Sequence, residues 1–322
     1  MFNQSTMKVS GRSEAAGPRL NMYQSWLHRY SYFLSAATLF LIIAGAAVTS
    51  NEAGLSVPDW PLSYGKVMPE MKDGVFYEHG HRMVATTVGF LTTVFALWVG
   101  FTEKRSWVKR LGFMALGLVI FQGILGGLTV LYQLPKEVSI AHACTAQLFF
   151  SLTVLFTLFL SREWMSGPNV VVDSGFPSFR GMAIGVPLLV LAQLALGAAF
   201  RHKAAGVIPH IIGAIVVAAA ILYYAISLLT QFPKHGPINR GAFAMIGIVC
   251  VQLLLGVAAY MTRAEATESR LISPALVLAT VAHTAVGAVA LASTIYTGAL
   301  VRFHIQPAAS RVAAGATTVT TA

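Results

Sequence analysis

The chain has 322 residues, of which 56% are apolar and only 11% are Asp, Glu, Lys or Arg. Soluble domains carry about 25% of these charged residues, and a mean hydropathy of +0.69 indicates a chain whose main solvent is lipid. This composition excludes a soluble enzyme, a nucleic-acid-binding protein or a disordered chain as the main body. The net charge of +10 is therefore ascribed to basic loops at a membrane surface.

Eight apolar runs are long enough to cross a bilayer, which requires about 20 residues per helix. We number them spans 1 to 8 and predict them at 31–49, 80–101, 111–131, 140–160, 181–200, 208–230, 242–261 and 274–300. The predicted fold class is therefore all-α, a polytopic membrane protein with eight transmembrane helices.

Basic residues predict the orientation of the spans, because cytoplasmic loops carry an excess of Lys and Arg. With the N terminus inside, 14 of the 22 basic residues fall in cytoplasmic segments, seven in outer segments and Arg82 at a helix start. The predicted cytoplasmic segments are 1–30, the linker 161–180 and the tail 301–322, and the tail is predicted to be disordered after His304. The seven outer residues are Lys66, Lys72, Lys136, Arg201, Lys203, Arg263 and Arg270.

Spans 1–4 and 5–8 repeat one pattern. Spans 3, 5 and 7 each contain a QxxxG sequence, at Gln122–Gly126, Gln193–Gly197 and Gln252–Gly256, and these glutamines are expected to form hydrogen bonds between helices. We predict two pseudo-symmetric four-helix halves, 31–160 and 181–300, in the same orientation. They differ mainly in the first outer loop, 51–78, which has no counterpart of similar length in the second half. An insertion in one copy alone is a candidate functional loop.

Each even-numbered span carries one histidine, and three of these lie within about one turn of the outer end of their span. The four are His81, His142, His210 and, further along its span, His283. An ionisable residue within a span is costly and suggests function. A single such histidine could equally bridge two helices by a hydrogen bond, but packing does not explain four at equivalent positions. Facing imidazoles with small residues nearby suit an iron porphyrin with two axial ligands, whereas zinc requires four ligands around one point.

The pattern therefore predicts two haem sites, His81 with His142 and His210 with His283. His283 lies ten residues beyond Ser273, so either span 8 begins above the membrane plane or this site is deeper. The other histidines are interpreted as structural, although His202 could contact a haem edge. They are His28, His79, His202, His235 and His304.

Glu78 lies three residues before His81 and shares its helix face. The helix dipole alone favours a carboxylate in a first turn. Beside a porphyrin, the same carboxylate could stabilise positive charge or accept a proton, and both interpretations stay open. No carboxylate repeats in the second half, where Val207 stands three residues before His210.

The first outer loop and the basic residues near helix ends are further candidates. The loop could be a lid that places Trp60 and Tyr64 over a haem face, or its aromatic residues could form an interfacial belt. Arg82, Arg201 and Lys203 lie at the depth where haem propionates would need a cation, or they anchor helix ends at the lipid headgroups.

Two sequence blocks carry a resemblance to a known family. GLSVPDWPLSYGKVMP (54–69), followed by EHGHRMVATTVGFLT (78–92), resembles the first outer loop and second helix of the haem A synthase family. The resemblance extends over essentially all eight spans, including IPHIIGA (208–214) and VAHTAVG (281–287). Some members carry cysteine pairs in the outer loops; here both cysteines, Cys144 and Cys250, lie in spans, so a loop thiol is not expected to take part.

The resemblance implies that one half holds haem b (iron protoporphyrin IX) and that the other receives haem O. It implies an oxidoreductase that converts the C8 methyl group of haem O to a formyl group in successive two-electron steps, giving haem A for terminal oxidase assembly. His210 and His283 would ligate haem b, with Arg82 and Arg201 also binding cofactor. His81 and His142 would bracket the substrate, and Glu78 would act near the oxidised methyl group.

The resemblance also implies a location and partners. The protein would lie in the inner membrane of a bacterial cell with the haem sites near the outer face, among membrane lipid. Haem O synthase and terminal oxidase assembly factors would be its partners, and a homo-oligomer is compatible with the small residues of its helices. No nucleic acid partner is expected.

Two other functions stay open at this point. A di-haem b-type cytochrome would pass electrons from quinol, and a transporter would use the histidines as proton relays. An electron carrier should treat both histidine pairs alike, whereas the loop 51–78 and Glu78 distinguish the N-terminal half. This asymmetry favours the enzyme.

Overall fold

The computed structural model describes residues 22–173, 178–269 and 271–307. The predictions for residues 1–21, for Arg270 and for the tail from residue 308 lie outside the described residues. Eight of the described helices are long and apolar enough to cross a membrane, which confirms the predicted fold class. Spans 1 to 8 are Met22–Ser50, Asp73–Thr102, Ser106–Leu131, Lys136–Phe159, Phe179–Arg201, Ile208–Gln231, Gly236–Ser269 and Pro274–His304.

Several spans are longer than their apolar runs, because helix-forming polar sequence continues them. Span 2 begins at Asp73, where the helix dipole favours a carboxylate. Span 7 continues to Ser269 through a segment rich in Ala, Glu and Arg, which are good helix formers. Span 8 begins at Pro274, and its N-cap residue Ser273 accepts a hydrogen bond from the backbone N–H of Leu276.

The extra length of span 8 brings His283 to the level of His210. This histidine lies nine residues into span 8, whereas His210 lies two residues into span 6, yet their rings are in contact distance. At 1.5 Å per residue, the start of span 8 therefore lies about 10 Å further from the level of the two rings than the start of span 6. The histidine is level with its partner, and the hairpin of spans 7 and 8 projects beyond it.

Each half is a closed bundle with its own apolar core. In the first half, spans 1 and 2, 2 and 3, 3 and 4, and 1 and 4 pack together, and the same four pairings recur among spans 5 to 8. Phe95 and Phe156 lie in the first core, and Tyr224 and Leu291 in the second. The halves meet where span 4 packs on spans 5 and 8 and span 1 packs on span 8.

The segment between the halves contains structure that the sequence did not indicate. A short helix, Arg162–Met165, is followed by strand β1, Val171–Asp173, which pairs in parallel with strand β2, Ile305–Pro307. The prediction of disorder directly after His304 is therefore wrong for residues 305–307, because this backbone finds hydrogen-bond partners in the linker.

Two buried histidines support the strand pair. The rings of His235 and His304 lie 4.5 Å apart, centroid to centroid. The backbone N–H of Asn169 donates to Nδ1 of His304 at 2.9 Å, and the carbonyl of Asn169 lies 3.3 Å from Nε2 of His235. These contacts explain both histidines as parts of the connection between the linker and the second half.

Candidate functional site

Each of the four predicted ligand histidines lies against a glycine of the preceding span. We call these glycines the seat glycines: Gly45, Gly126, Gly197 and Gly256. A Cβ atom built on them would lie 2.9 Å from Cε1 of His81, 3.3 Å from that of His142, 2.8 Å from that of His210 and 3.2 Å from that of His283, in that order. A side chain at Gly45 or Gly197 would therefore force the imidazole to shift, whereas at Gly126 or Gly256 the ring would have to give by a few tenths of an ångström.

In three of the four cases a glutamine lies one turn before the seat glycine and contacts the same histidine. The Nε2 amide of Gln122 donates to the backbone carbonyl of His142 at 2.8 Å. Gln193 donates to the carbonyl of His210 at 2.8 Å and lies 2.9 Å from its Nδ1. Gln252 Nε2 lies 3.5 Å from Nε2 of His283. The QxxxG repeat thus places an amide and a space for the histidine ring on one helix face. The predicted hydrogen bonds of these glutamines between helices are present.

The C-terminal pair has the separation that a shared metal requires. The ring centroids of His210 and His283 are 6.2 Å apart, with the ring planes at 89°. Two imidazoles that bind one metal ion through bonds of about 2.0 Å have ring centroids about 6.4 Å apart. These rings could therefore bind opposite sides of one iron atom.

The N-terminal pair consists of His81 on span 2 and His142 on span 4. His142 is among the groups whose charge acts on His81. Nδ1 of both rings is buried and has no hydrogen-bond partner among the described residues, and the same is true of Nδ1 of His283. Buried polar atoms are normally paired, so these nitrogens fit a site that is completed by a bound group. The donor set, two neutral imidazoles beside glycine, suits a porphyrin.

Glu78 is buried, with 4% of its surface exposed, and its carboxylate faces the first outer loop. Oε2 accepts a hydrogen bond from the backbone N–H of Val57 at 2.8 Å, and Oε1 accepts one from Nη2 of Arg82 at 2.6 Å. Arg82 also donates to the carbonyls of Asp59 at 2.7 Å and Leu62 at 2.8 Å. Glu78 and Arg82 together therefore fasten the loop to the helix turn that carries His81.

The loop covers part of the N-terminal half through Trp60. A Cβ atom built on Gly127 would lie 2.9 Å from the indole of Trp60, so the indole rests on span 3 next to the seat glycine of His142. Tyr64 is more than half exposed, and its hydroxyl donates within the loop to the carbonyl of Ser56. Nδ1 of His79 lies 2.8 Å from Oγ of Ser63. Trp60 thus contacts span 3, while Tyr64 packs within the loop.

Arg201 connects the two halves near both histidine pairs. Its Nη2 donates to the carbonyl of Ala46 at 3.1 Å and to Oγ of Ser50 at 2.7 Å, both on span 1. Ser50 in turn lies 2.8 Å from Oγ1 of Thr280, one turn before His283. Neither Arg201 nor Arg263, whose guanidinium packs on Phe200, forms an ion pair with a carboxylate in the described part of the chain.

These two cations suit an anionic group such as a propionate. Arg263 was not singled out from the sequence, because span 7 was expected to end at residue 261. Nor were the seat glycines paired with their histidines, although the repeated QxxxG is a signal for three of them.

The remaining histidines lie outside the two pairs. Nε2 of His28 lies 2.9 Å from the carbonyl of Thr157, between spans 1 and 4. His202 caps the end of span 5 beside Arg201. Burial, and secondarily the charge of Arg201, lower the pKa of His202, and this side chain also acts electrostatically on His142. His202 is therefore close to the N-terminal pair although it belongs to the second half.

Comparisons with known proteins point to one family. The family model of cytochrome oxidase assembly proteins (COX15-CtaA) matches residues 68–209. A heme A synthase of Alkalihalophilus pseudofirmus is 31% identical over 147 residues, which cover 44% of this chain and 50% of that protein. A heme A synthase of Exiguobacterium sibiricum is 28% identical over 182 residues, which cover 55% and 59%. One from Shewanella oneidensis is 28% identical over 196 residues, which cover 55% and 56%.

The chain thus spans between 50% and 59% of the length of these relatives. The family match includes Glu78, His81 and His142 and ends one residue before His210. These findings confirm the resemblance to the haem A synthase family that the motifs of the first outer loop and span 2 indicate.

Proposed function

We propose, from the resemblance to the haem A synthase family, that this multi-pass membrane protein is itself a haem A synthase. It would oxidise the C8 methyl group of haem O to a formyl group in two successive two-electron steps, in which water supplies the oxygen atom, four protons are released and an external electron acceptor takes the four electrons. One observation carries the proposal: both halves repeat a histidine pair on seat glycines, but only the first half has the fastened loop and the buried Glu78. Two similar sites with one specialised half suit an enzyme that holds one haem and acts on another.

His210 and His283 would hold the resident haem b, since their ring separation is suited to a shared iron. When bound, haem b supplies a one-electron redox centre whose potential depends on its axial ligands and surroundings. Gln193 and Gln252 orient the two ligands. Arg201 and Arg263 provide positive charge for the propionates at the outer end.

His81 and His142 would bracket the substrate haem O, with Trp60 covering the site from the loop. Glu78 would lie near the reacting methyl group, where its carboxylate accepts a proton or stabilises developing positive charge. Arg82 orients that carboxylate through the bond to Oε1 and fixes the loop through the carbonyls of Asp59 and Leu62. Enclosure of the site by the loop excludes water and strengthens these interactions.

A di-haem b-type cytochrome that passes electrons from quinol is the second candidate. It would use the same four histidines, but it gives no reason for a loop and a carboxylate in one half alone. The relatives that match the chain are heme A synthases, which favours the enzyme. We further propose that both termini are cytoplasmic, that the histidine pairs lie near the outer face of a bacterial inner membrane, and that the product serves terminal oxidase assembly.

The decisive experiment is extraction of the porphyrins that copurify with the protein, expressed with and without a haem O synthase. We expect haem b alone without haem O, and haem b with haem A when haem O is supplied. Chromatography separates the three haems. A protein that carries haem b in both conditions and never yields haem A would contradict the enzymatic proposal and favour the cytochrome.

A further inference from the structure

The four ligand histidines are not held equally. His142, His210 and His283 each receive an amide from the glutamine that lies one turn before their seat glycine. We call this contact the amide brace. The corresponding residue of span 1 is Leu41, four residues before Gly45, and its side chain has no hydrogen-bond donor. The ring of His81 interacts with the backbone of Leu41, so His81 has a seat glycine and a backbone contact but lacks the amide brace.

The position of span 2 in the bundle makes this difference important. Spans 4 and 8, which carry His142 and His283, pack against helices of both halves, whereas spans 2 and 6 pack mainly against their two neighbours within one half. His81 and His210 are thus the ligands on the peripheral spans. His210 compensates with the strongest brace, since Gln193 reaches both its backbone carbonyl and its ring.

The turn that carries His81 is fastened to the loop instead. Within one turn of this histidine, Glu78 accepts from Val57, His79 contacts Ser63 and Arg82 donates to Asp59. A displacement of the loop therefore also displaces the helix turn that carries His81. The helix turn that carries His210 follows the short connection between spans 5 and 6 and has no such loop attached to it.

We infer that His81 is the exchangeable ligand, through which the substrate haem enters and the product haem leaves. Because the side chain of Leu41 has no amide, His81 lacks the amide brace. The first outer loop is the element that moves with the helix turn of His81. This inference rests on the proposed function, because it assumes that the N-terminal half receives the substrate. Leu41 is accordingly a positioning residue, whose side chain acts by withholding a hydrogen bond.

The test adds the missing brace and removes an existing one. Leu41→Gln places an amide at the braced position of span 1, and Leu41→Met is the control of similar size without an amide. Gln193→Leu is the reciprocal change in the second half. Each purified protein, loaded with haem b and haem O, is mixed with excess apomyoglobin, and the captured haems are identified by chromatography over time.

We expect Leu41→Gln to slow the release of haem O by about two- to tenfold, the value of one net hydrogen bond, while Leu41→Met releases it at the wild-type rate. Gln193→Leu should accelerate the release of haem b by a similar factor. If release of haem O is the same in Leu41→Gln and Leu41→Met, or if Gln193→Leu retains haem b as the wild type does, the inference is wrong.

Should Leu41→Gln fail to fold, the wild-type protein decides: the inference requires haem O to be captured faster than haem b, and equal rates would contradict it. The proposed function fails differently. In that case haem O does not bind or no haem A forms in the wild type, although the rates of haem b release can still follow the braces.

Discussion

At the seat glycines a single methyl group decides whether an imidazole can take up its position. A Cβ atom at Gly197 or Gly45 would lie closer than 3.0 Å to a ring carbon, and the rings are confined between two packed helices. Overpacking of this kind costs about 1–3 kcal/mol. Moving the ring instead would tilt the ligand away from its partner.

We expect Gly197→Ala to lose most of the haem bound by the second half, because its new methyl group would lie 2.8 Å from Cε1 of His210. The haem-to-protein ratio, measured from the Soret absorbance of purified protein, tests this. Gly185→Ala is the matched control on the same span, since a Cβ atom there meets nothing within 4 Å. Full haem content in Gly197→Ala would show that the ring can shift freely.

Replacing Glu78 by Gln should keep haem b bound and abolish most haem A production. The amide can still accept the hydrogen bond from Val57 but loses the charge that faces Arg82. Loss of a proton-transferring group lowers rates by about 10²–10⁴-fold. Haem A formed in cells that supply haem O is the measurement, with the exposed Glu70→Gln as control. Normal haem A production by Glu78→Gln would contradict the role given to this residue.

At the scale of the elements, the attachment of the first outer loop to span 2 depends on the guanidinium group of Arg82. Arg82 donates to two loop carbonyls and to Glu78, and hydrogen bonds from charged groups are worth about 1.5–3 kcal/mol each. The exposed pair of Glu70 and Lys72 in the same loop contributes little by comparison. The loop and the start of span 2 should therefore open together when Arg82 is removed.

Arg82→Ala should make the loop at least tenfold more sensitive to proteases, lower the retention of haem O and leave haem b in place. Limited proteolysis with mass spectrometry of the fragments measures the first effect, and porphyrin extraction the other two. Lys72→Ala is the control with wild-type cleavage. Unchanged cleavage of Arg82→Ala would mean that the loop is held by other contacts. The same assay on Glu78→Gln separates a loss of chemistry from a loosened loop.

The elements show what a sequence can and cannot reveal here. Eight apolar runs and four histidines at equivalent positions were readable, because lipid requires long apolar helices and makes buried polar groups conspicuous. The end of span 7 was misplaced because its last turns are polar but still helical. The pairing of Gly45 with His81 was not readable, since 28 glycines are present and only the fold shows which one faces a ring.

The strand pair was also missed, for a different physical reason. Val171–Asp173 and Ile305–Pro307 are three residues each and lie more than 130 positions apart, so neither carries a local strand signal. Their pairing depends on His235 and His304, which bring the linker and the end of span 8 together. These contacts join the linker to two parts of the second half that are distant in sequence, so no local sequence pattern indicates them.

In the whole molecule, the contacts between the halves follow the same pseudo-symmetry that relates the halves to each other. Span 4 packs on span 8, and span 1 on span 8 corresponds to span 5 on span 4. Exchanging spans 1–4 with spans 5–8 therefore gives the same set of contacts, as in the isologous interface of a two-fold dimer. Arg201 departs from this equivalence, because the corresponding residue of span 1, four residues after the seat glycine Gly45, is Thr49 rather than an arginine.

Arg201→Gln should lower the melting temperature by a few degrees, since the shorter side chain cannot reach Ala46 and Ser50. If Arg201 also binds a propionate, the extra stability that haem confers should shrink in this variant. Thermal unfolding in detergent, with and without haem, measures both effects. Arg263→Gln is the comparison, because its guanidinium packs within its own half. A wild-type melting temperature for Arg201→Gln would remove this residue from the junction.

Both imidazoles of each pair belong to the same four-helix bundle, and this arrangement has a mechanical consequence. The two ligand histidines of each pair therefore keep their supporting helices whether or not the other pair is occupied, although Arg201 reaches across the junction to Ala46 and Ser50. If the proposed function is correct, a protein that holds haem in the second half alone should be as fully folded as one that holds haem in both halves.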